Sequence, residues 1–152
     1  MDSELATADP GIRGAGDAIC YPCPFLGGNR IRTEHEEHAN ESGVIAGAGV
    51  AGEPRSYAPI PSFHSSVGDL VWEGLGRLDL RGARTTVEAG SEPDAPGVAL
   101  HRRDDRIQGV VVWNRPGRVP RIQRLLRDSA GGGDSAPGDE ELERRILELV
   151  LE

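Results

Sequence analysis

Three short clusters in this 152-residue chain carry residue types able to do chemistry. The first is Gly14-Ala15-Gly16-Asp17, a carboxylate placed directly after a glycine pair. Glycines let another molecule approach the backbone closely, and the Asp can accept hydrogen bonds from hydroxyls or amides at that spot. Asp and Gly are also the commonest turn residues, so an ordinary turn is the plainer reading. The second cluster is Cys20-Tyr21-Pro22-Cys23 followed by His35 and His38, two thiols and two imidazoles of the kind that hold tetrahedral zinc. Its spacing is off, because the histidines stand closer together than the roughly four to six positions of a zinc finger. A redox role for the cysteines needs a βαβ frame that is not visible here, which leaves two loop cysteines as the plainer reading. The third is Gly47-Ala48-Gly49-Val50-Ala51-Gly52, a GxGxxG match with Glu73 about twenty residues on. A polar helical segment precedes it and EPRSYAPIP follows, so no helix N-terminus is there to receive a pyrophosphate. Small residues packed close on a neighbour explain it better.

Composition limits what these clusters can serve. The formal charge is −8, and all 17 cations are arginines set against 25 carboxylates. Such a surface repels phosphate backbones and argues against a nucleic acid partner. No apolar run reaches bilayer-spanning length, and the opening MDSELATADP lacks the basic and apolar regions of a signal peptide, so the chain reads as cytoplasmic with no membrane partner. Two cysteines are compatible with a reducing compartment. With 21 glycines, 11 prolines and 4% aromatics, a small, loop-rich fold is expected.

The elements that must position the clusters follow from periodicity. Residues 1–17 read as the end of a unit, with nothing upstream to pack on them. From Thr33 as cap to Val50, Ala39, Gly43, Ala46 and Val50 recur at helical spacing and predict a helix. Pro54, Pro59 and Pro61 then impose an extended loop over 52–64. Strands are predicted at Leu70–Leu80, Arg84–Ala89, Gly97–Arg102 and Ile107–Trp113, the last two joined as a hairpin through Asp104-Asp105. Pro120 opens a helix to Arg127 with Ile122, Leu125 and Leu126 inward. Residues 129–138 are a Gly-rich linker. Residues 139–152 form a terminal amphipathic helix, capped by Asp139 and striped by Leu142, Ile146, Leu149 and Val150, whose expected dock is this same domain.

Read in order, GDA at 16–18, then LGGNRIRTEHEEHANESGVIAG, then Pro61-Ser62-Phe63-His64 and finally GVALHRRDDRIQGVVVWN form a series. It resembles the C-terminal part of FAD-dependent NAD(P)H oxidoreductases of the apoptosis-inducing factor and ferredoxin reductase type, and covers nearly all of residues 3–128. The resemblance implies that Asp17, beside Gly16, hydrogen-bonds the ribityl chain of FAD. It implies that Glu34 and His35 lie near the flavin ring at a helix start. It places Phe63 and His64 in an aromatic loop where the family often has Phe-Trp-Ser-Asp, and this chain departs from that pattern by having His64 in place of the Trp. Trp72 and Trp113 do not replace it and read as core or interface residues of the sheet.

The resulting expectation is an α+β fold, an antiparallel sheet flanked by helices over residues 55–128. A remnant of a FAD-binding α/β domain precedes it at 1–54, and the linker and helical tail follow. No catalytic residue and no metal ligand is assigned. Without a dinucleotide-binding motif the chain is a fragment of a longer enzyme or a free-standing C-terminal domain, inactive alone, whose partners are the missing FAD- and NAD-binding domains or an upstream chain. A non-enzymatic module forming a homodimer through the sheet or terminal helix is the alternative, and a small zinc protein using Cys20, Cys23, His35 and His38 is a third.

Overall fold

The computed structural model describes residues 1–79, 81–92, 94–130 and 138–152, and the chain divides into two compact units, Met1–Ser62 and Phe63–Glu152. In the first unit the opening residues do find something to pack on. Ala6 bridges to Arg13, Thr7 N donates to Ile12 O at 2.9 Å, and the turn so formed buries Leu5 completely. Leu5 joins Ile19, Tyr21, Cys23, Leu26 and Tyr57 in one apolar cluster. Leu5 thus ties residues 1–17 into the core of the first unit, through partners that lie downstream of them. Tyr57 belongs to the same cluster, and its N–H donates to Ser3 O at 2.7 Å; residues 55–62 fall in the first unit, although Ser62 also opens the first strand of the sheet.

A two-stranded antiparallel hairpin, β1 (Tyr21–Cys23) and β2 (Asn29–Ile31), was not signalled by the sequence, because three-residue strands containing Pro22 carry no alternation to read. Helix α1 spans Glu36–Val50. Its cap is His35, whose Nδ1 accepts from Glu37 N at 3.3 Å, whereas Thr33, the expected cap, pairs its hydroxyl with Tyr21 Oη at 3.1 Å. The expected stripe is also displaced. His38 and Ser42 face inward, Ile45 and Ala46 pack on the core, and Val50 is 75% exposed. Alanines and glycines carry too little hydrophobic contrast to mark a face, and the two polar residues are buried because they hold hydrogen bonds. The helix ends within the GxGxxG stretch, with Gly52 at φ +86°, before the prolines.

The second unit is a five-stranded sheet ordered β3 (Ser62–Val67, its first residue counted with the first unit), β4 (Leu70–Gly76), β7 (Arg106–Trp113), β6 (Gly97–Arg103), β5 (Arg84–Ala89). The β4–β7, β7–β6 and β6–β5 pairs are antiparallel. Strand β3 starts inside the stretch expected as loop, since Ser and His residues gave no strand signal, and β4 stops at Gly76 (φ +74°), short of the expected Leu80. The β6–β7 hairpin is as expected: Asp104 and Asp105, at φ +53° and +58°, form a two-residue connection of the kind that matches strand twist. Leu75, Val110 and Leu100 stand opposite one another across three strands and are all buried.

Two helices flank the sheet. α2 (Val119–Ala130) buries Ile122 and Leu126, leaves Leu125 half-buried, and extends to Ala130, into the expected linker. Residues 131–137 of that linker lie outside the described residues. α3 (Asp139–Leu151) buries Leu142, Ile146 and Val150 against its own unit, packing on β6, β7 and α2. Gly138 holds the cap position. The carboxylate of Asp139 accepts instead from Ile107 N at 2.9 Å, and Arg102, buried on β6, grips Glu143 at 2.8 Å, so two side-chain contacts fasten α3 to the hairpin. Tertiary contact thus displaces the local capping preference.

His101 is buried on β6 with Nδ1 2.9 Å from Thr85 Oγ1, and burial holds its pKa below the ordinary 6.5. In the window below 6.5 the unfolded chain binds a proton that the folded chain refuses, so this contribution is complete above 6.5 and is lost as pH falls through the folded value. Thermal melts of the second unit are expected to show that loss, with His101→Gln flattening it; an unchanged profile in the variant would assign the loss to another group.

Candidate functional site

The GDA stretch folds as a single 3-10 turn, Gly16–Ala18, which the sequence around it makes necessary: Gly16 takes φ +71°, a left-handed value that a side chain resists. Both backbone groups of Gly16 are held from α1. Its N–H donates to Ser42 Oγ at 2.8 Å, and its carbonyl accepts from His38 Nε2 at 3.1 Å. Ser42 in turn donates to His38 O at 2.6 Å. A carbonyl can only accept, so Nε2 carries the hydrogen, and in the neutral imidazole Nδ1 is the acceptor for Tyr57 Oη, 2.8 Å away. Burial raises the Tyr57 phenol above its ordinary range and keeps it a donor. The His38 ring also stacks on Tyr21, with centroids 5.3 Å apart and planes 18° from parallel.

This scaffold turns Asp17 outward. Asp17 is exposed, and among the described residues its carboxylate makes no hydrogen bond or ion pair. Glu34 is exposed and engaged by Arg32, whose Nε donates to it at 2.9 Å. His35 caps α1 and so occupies the amide of Glu37, one of the helix-start N–H groups. Gly16, Asp17, Glu34 and His35 are all in the first unit, the last two leading into the helix that clamps the first two. Phe63 and His64 lie in the second unit, on β3, where the Phe63 ring covers Gly74 so closely that a Cβ there would fall 2.2 Å from it. Trp72 and Trp113 are cross-strand partners in β4 and β7.

The four side chains of the zinc reading do not converge. Cys20 is exposed, Cys23 is buried with Sγ 3.7 Å from Pro59 O, and both His38 nitrogens are spent on Gly16 and Tyr57. Among the described residues no group of three or more His, Cys, Asp or Glu side chains could hold a metal ion. Chelator is expected to leave the melting curve of the chain unchanged, and a large drop in Tm would restore the zinc reading. In the GxGxxG stretch Gly49 lies under the Arg13 guanidinium, so close that a Cβ added there would fall 2.5 Å from it, while a Cβ at Gly47 or Gly52 would meet nothing within 4 Å. The close neighbour anticipated for these small residues is thus a side chain at one of them. His38 and Ser42, which no chemical motif pointed to as a pair, are the residues that organise the turn; their i, i+4 spacing beside GDA was the available signal.

No family model matches the chain. A 66-residue stretch is 39% identical to a Drosophila melanogaster protein described as apoptosis-inducing factor 1, mitochondrial, spanning 43% of this chain and 9% of that protein. Over 117 residues the chain is 29% identical to the ferredoxin reductase CtmF of Castellaniella defragrans, spanning 76% of this chain and 28% of that one. Among solved structures, a ferredoxin reductase from Rhodopseudomonas palustris superposes with a TM-score of 0.70 at 22% identity, over 96% of this chain and 36% of its own. A FAD-dependent pyridine nucleotide-disulphide oxidoreductase from Desulfovibrio vulgaris gives 0.68 at 16%, over 98% and 40%. Relatives and structural neighbours alike are pyridine nucleotide-disulfide oxidoreductases of the ferredoxin reductase and apoptosis-inducing factor type. The fold is α+β, an antiparallel sheet with three helices, matching the C-terminal domain of FAD-dependent reductases, and the chain spans well under half the length of each of these proteins. Among the described residues no helix is long and apolar enough to cross a membrane.

Proposed function

We propose that this chain is the C-terminal portion of a FAD-dependent NAD(P)H oxidoreductase and contributes one side of the flavin pocket together with an interface domain. The observation that carries the reading is the clamped turn. Gly16 is fixed at both its N–H and its C=O, lies close against Ala39 of α1, and the adjoining Asp17 carboxylate is exposed with all its acceptor capacity open. That arrangement suits the hydroxyls of a ribityl chain. Bound FAD supplies the hydride chemistry, accepting from a nicotinamide. The protein's part is positional: Asp17, on the turn that Gly16 fixes, accepts from the cofactor, and Glu34 and His35 flank it at the start of α1. Phe63 and His64 are assigned to the flavin by the resemblance alone, with the missing Trp altering what covers the ring.

The outer face of α1 supports a larger parent molecule. Gly43, Val44, Gly47 and Val50 are exposed along it, Val44 by 67%, an apolar strip suited to packing against an upstream dinucleotide-binding domain. The interface role rests on the sheet edges, where β3 and β5 leave Val67 and Val87 in solvent.

FAD titration of the isolated chain, followed by flavin fluorescence, tests the reading. A dinucleotide is fixed chiefly by a strand-turn-helix whose GxGxxG turn receives its pyrophosphate, and among the described residues no strand is joined to a helix through such a turn. Affinity at the Asp17 site is expected to be roughly millimolar or weaker, a few kcal/mol at most. Joining an upstream dinucleotide-binding segment is expected to restore binding, and Asp17→Ala to remove it. A purified chain that is yellow, or that takes FAD at micromolar concentration through this turn, overturns the fragment reading.

A further inference from the structure

The second unit holds a broadly solvent-open groove of about 660 Å³ between α2 and α3. Arg118, Arg121 and Arg124 line it from the α2 side, and Leu125 and Leu149 add apolar surface. The chain carries 25 carboxylates for 17 arginines, and six of those arginines, Arg32, Arg55, Arg81, Arg102, Arg144 and Arg145, are in ion pairs. Among the described residues Arg118, Arg121 and Arg124 have neither an ion pair nor a side-chain hydrogen bond. The Nε of Arg118 is closed off from solvent without an acceptor; Arg77, Arg103 and Arg115 share that condition, but of the four only Arg118 lines the groove.

The facing helix answers this charge only in part. Of its lining groups, Arg145 is held by Glu141 at 2.7 Å and Glu148 is engaged by Arg144, which leaves Glu152 as the one carboxylate in the lining without an ion pair. Three unpaired guanidinium groups, on Arg118 just before α2 and on Arg121 and Arg124 within it, line the same wall. Like charges so placed repel, and a buried N–H without an acceptor is unfavourable. The positive end of α2 adds to the same potential, and the negative end of α3, at Glu148 and Glu152, opposes it. The whole chain is acidic, yet this wall is locally cationic. One orthophosphate is too small to reach all three forks. An ester with two linked phosphates is large enough, the volume is that of a small-molecule site, and the leucines can accept an apolar or aromatic portion.

We propose that this groove binds a small organic polyphosphate of the nucleoside diphosphate class, its phosphates on Arg118, Arg121 and Arg124. The site lies wholly in the second unit and does not depend on the reading of Asp17. Titration calorimetry of the full chain at low salt, with pyrophosphate, ADP, orthophosphate and oligoglutamate as probes, tests it. Pyrophosphate and ADP are expected to bind saturably at one site, at least roughly tenfold tighter than orthophosphate, and to weaken as salt is raised. Removing two exposed guanidinium groups in the Arg121→Gln, Arg124→Gln double variant is expected to weaken binding roughly a hundredfold, with an unchanged far-ultraviolet spectrum confirming that the helix persists. Arg84→Gln, on exposed β5, is expected to leave it unchanged. Absence of saturable binding at millimolar probe, equal affinity for orthophosphate, or binding that survives the double variant overturns the proposal. Oligoglutamate binding more tightly than pyrophosphate also overturns it, and makes the groove a docking surface for an acidic protein.

Discussion

His38→Ala is expected to destabilise the first unit by about 2–4 kcal/mol. The substitution removes a ring stacked on Tyr21 and two hydrogen bonds at once; it leaves Tyr57 Oη without its partner and Gly16 O with Ile19 N alone. Gly16 then sits at φ +71° with Ser42 Oγ on its N–H and only the local Ile19 N–H on its carbonyl. Because Ser42 and His38 grip the same residue, their losses are expected to be non-additive, with a coupling of about 0.5–3 kcal/mol in a double-mutant cycle with Ser42→Ala. Tyr57→Phe breaks one of these bonds and keeps the ring, so about 1 kcal/mol is expected there. The two tyrosines lie in the first unit and the two tryptophans in the second, so near-ultraviolet dichroism of tyrosine and fluorescence of tryptophan separate the two transitions. A loss below about 1 kcal/mol for His38→Ala, or an equal loss in the tryptophan signal, would mean that the clamp does not hold the turn.

The GDA turn was legible in the sequence because glycine followed by a carboxylate has few structural uses, and the hairpin because β-branched residues flank a two-Asp connection. His38 was visible too, but as a candidate metal ligand: a histidine three positions after another, near a CxxC, looks the same in sequence whether it binds zinc or a backbone carbonyl. Burial and the partners of its two nitrogens decide between them, and both depend on Tyr57, nineteen positions away and beyond a proline loop. The stripe on α1 held only in part, for a related reason. Its inward side is fixed by what the polar residues hold, so of the expected stripe Ala39 and Ala46 lie on the packed side while Gly43 and Val50 face solvent. Asp139 repeats the lesson at α3, where a residue suited to capping reaches across to Ile107 N instead.

Gly109→Ala is expected to be the most damaging single substitution in the second unit, costing about 3 kcal/mol or more. Gly109 lies in β7, the strand that pairs with both β4 and β6, opposite Gly76 on one side and His101 on the other. A Cβ there would stand 2.0 Å from Arg77 O and 2.8 Å from Arg77 C, which are backbone atoms with no rotamer to change. Arg77 N is itself bonded to Gln108 O at 2.6 Å, so the chain leaving β4 is pinned against β7 and moves away only by giving up that bond. The register shift between His101 and Arg102 falls at the same level, so β6 is already irregular there and offers little further adjustment. Gly97→Ala provides the comparison. Its Cβ would meet the Trp113 ring at 2.0 Å, an equal overlap, but with a side chain at the end of a strand that can swing aside. A smaller loss is expected for it, about 1–3 kcal/mol. Denaturant unfolding followed by tryptophan fluorescence would rank the two. If Gly109→Ala proves as stable as the parent, or less damaging than Gly97→Ala, the close crossing of Arg77 over β7 is not what fixes the centre of this sheet.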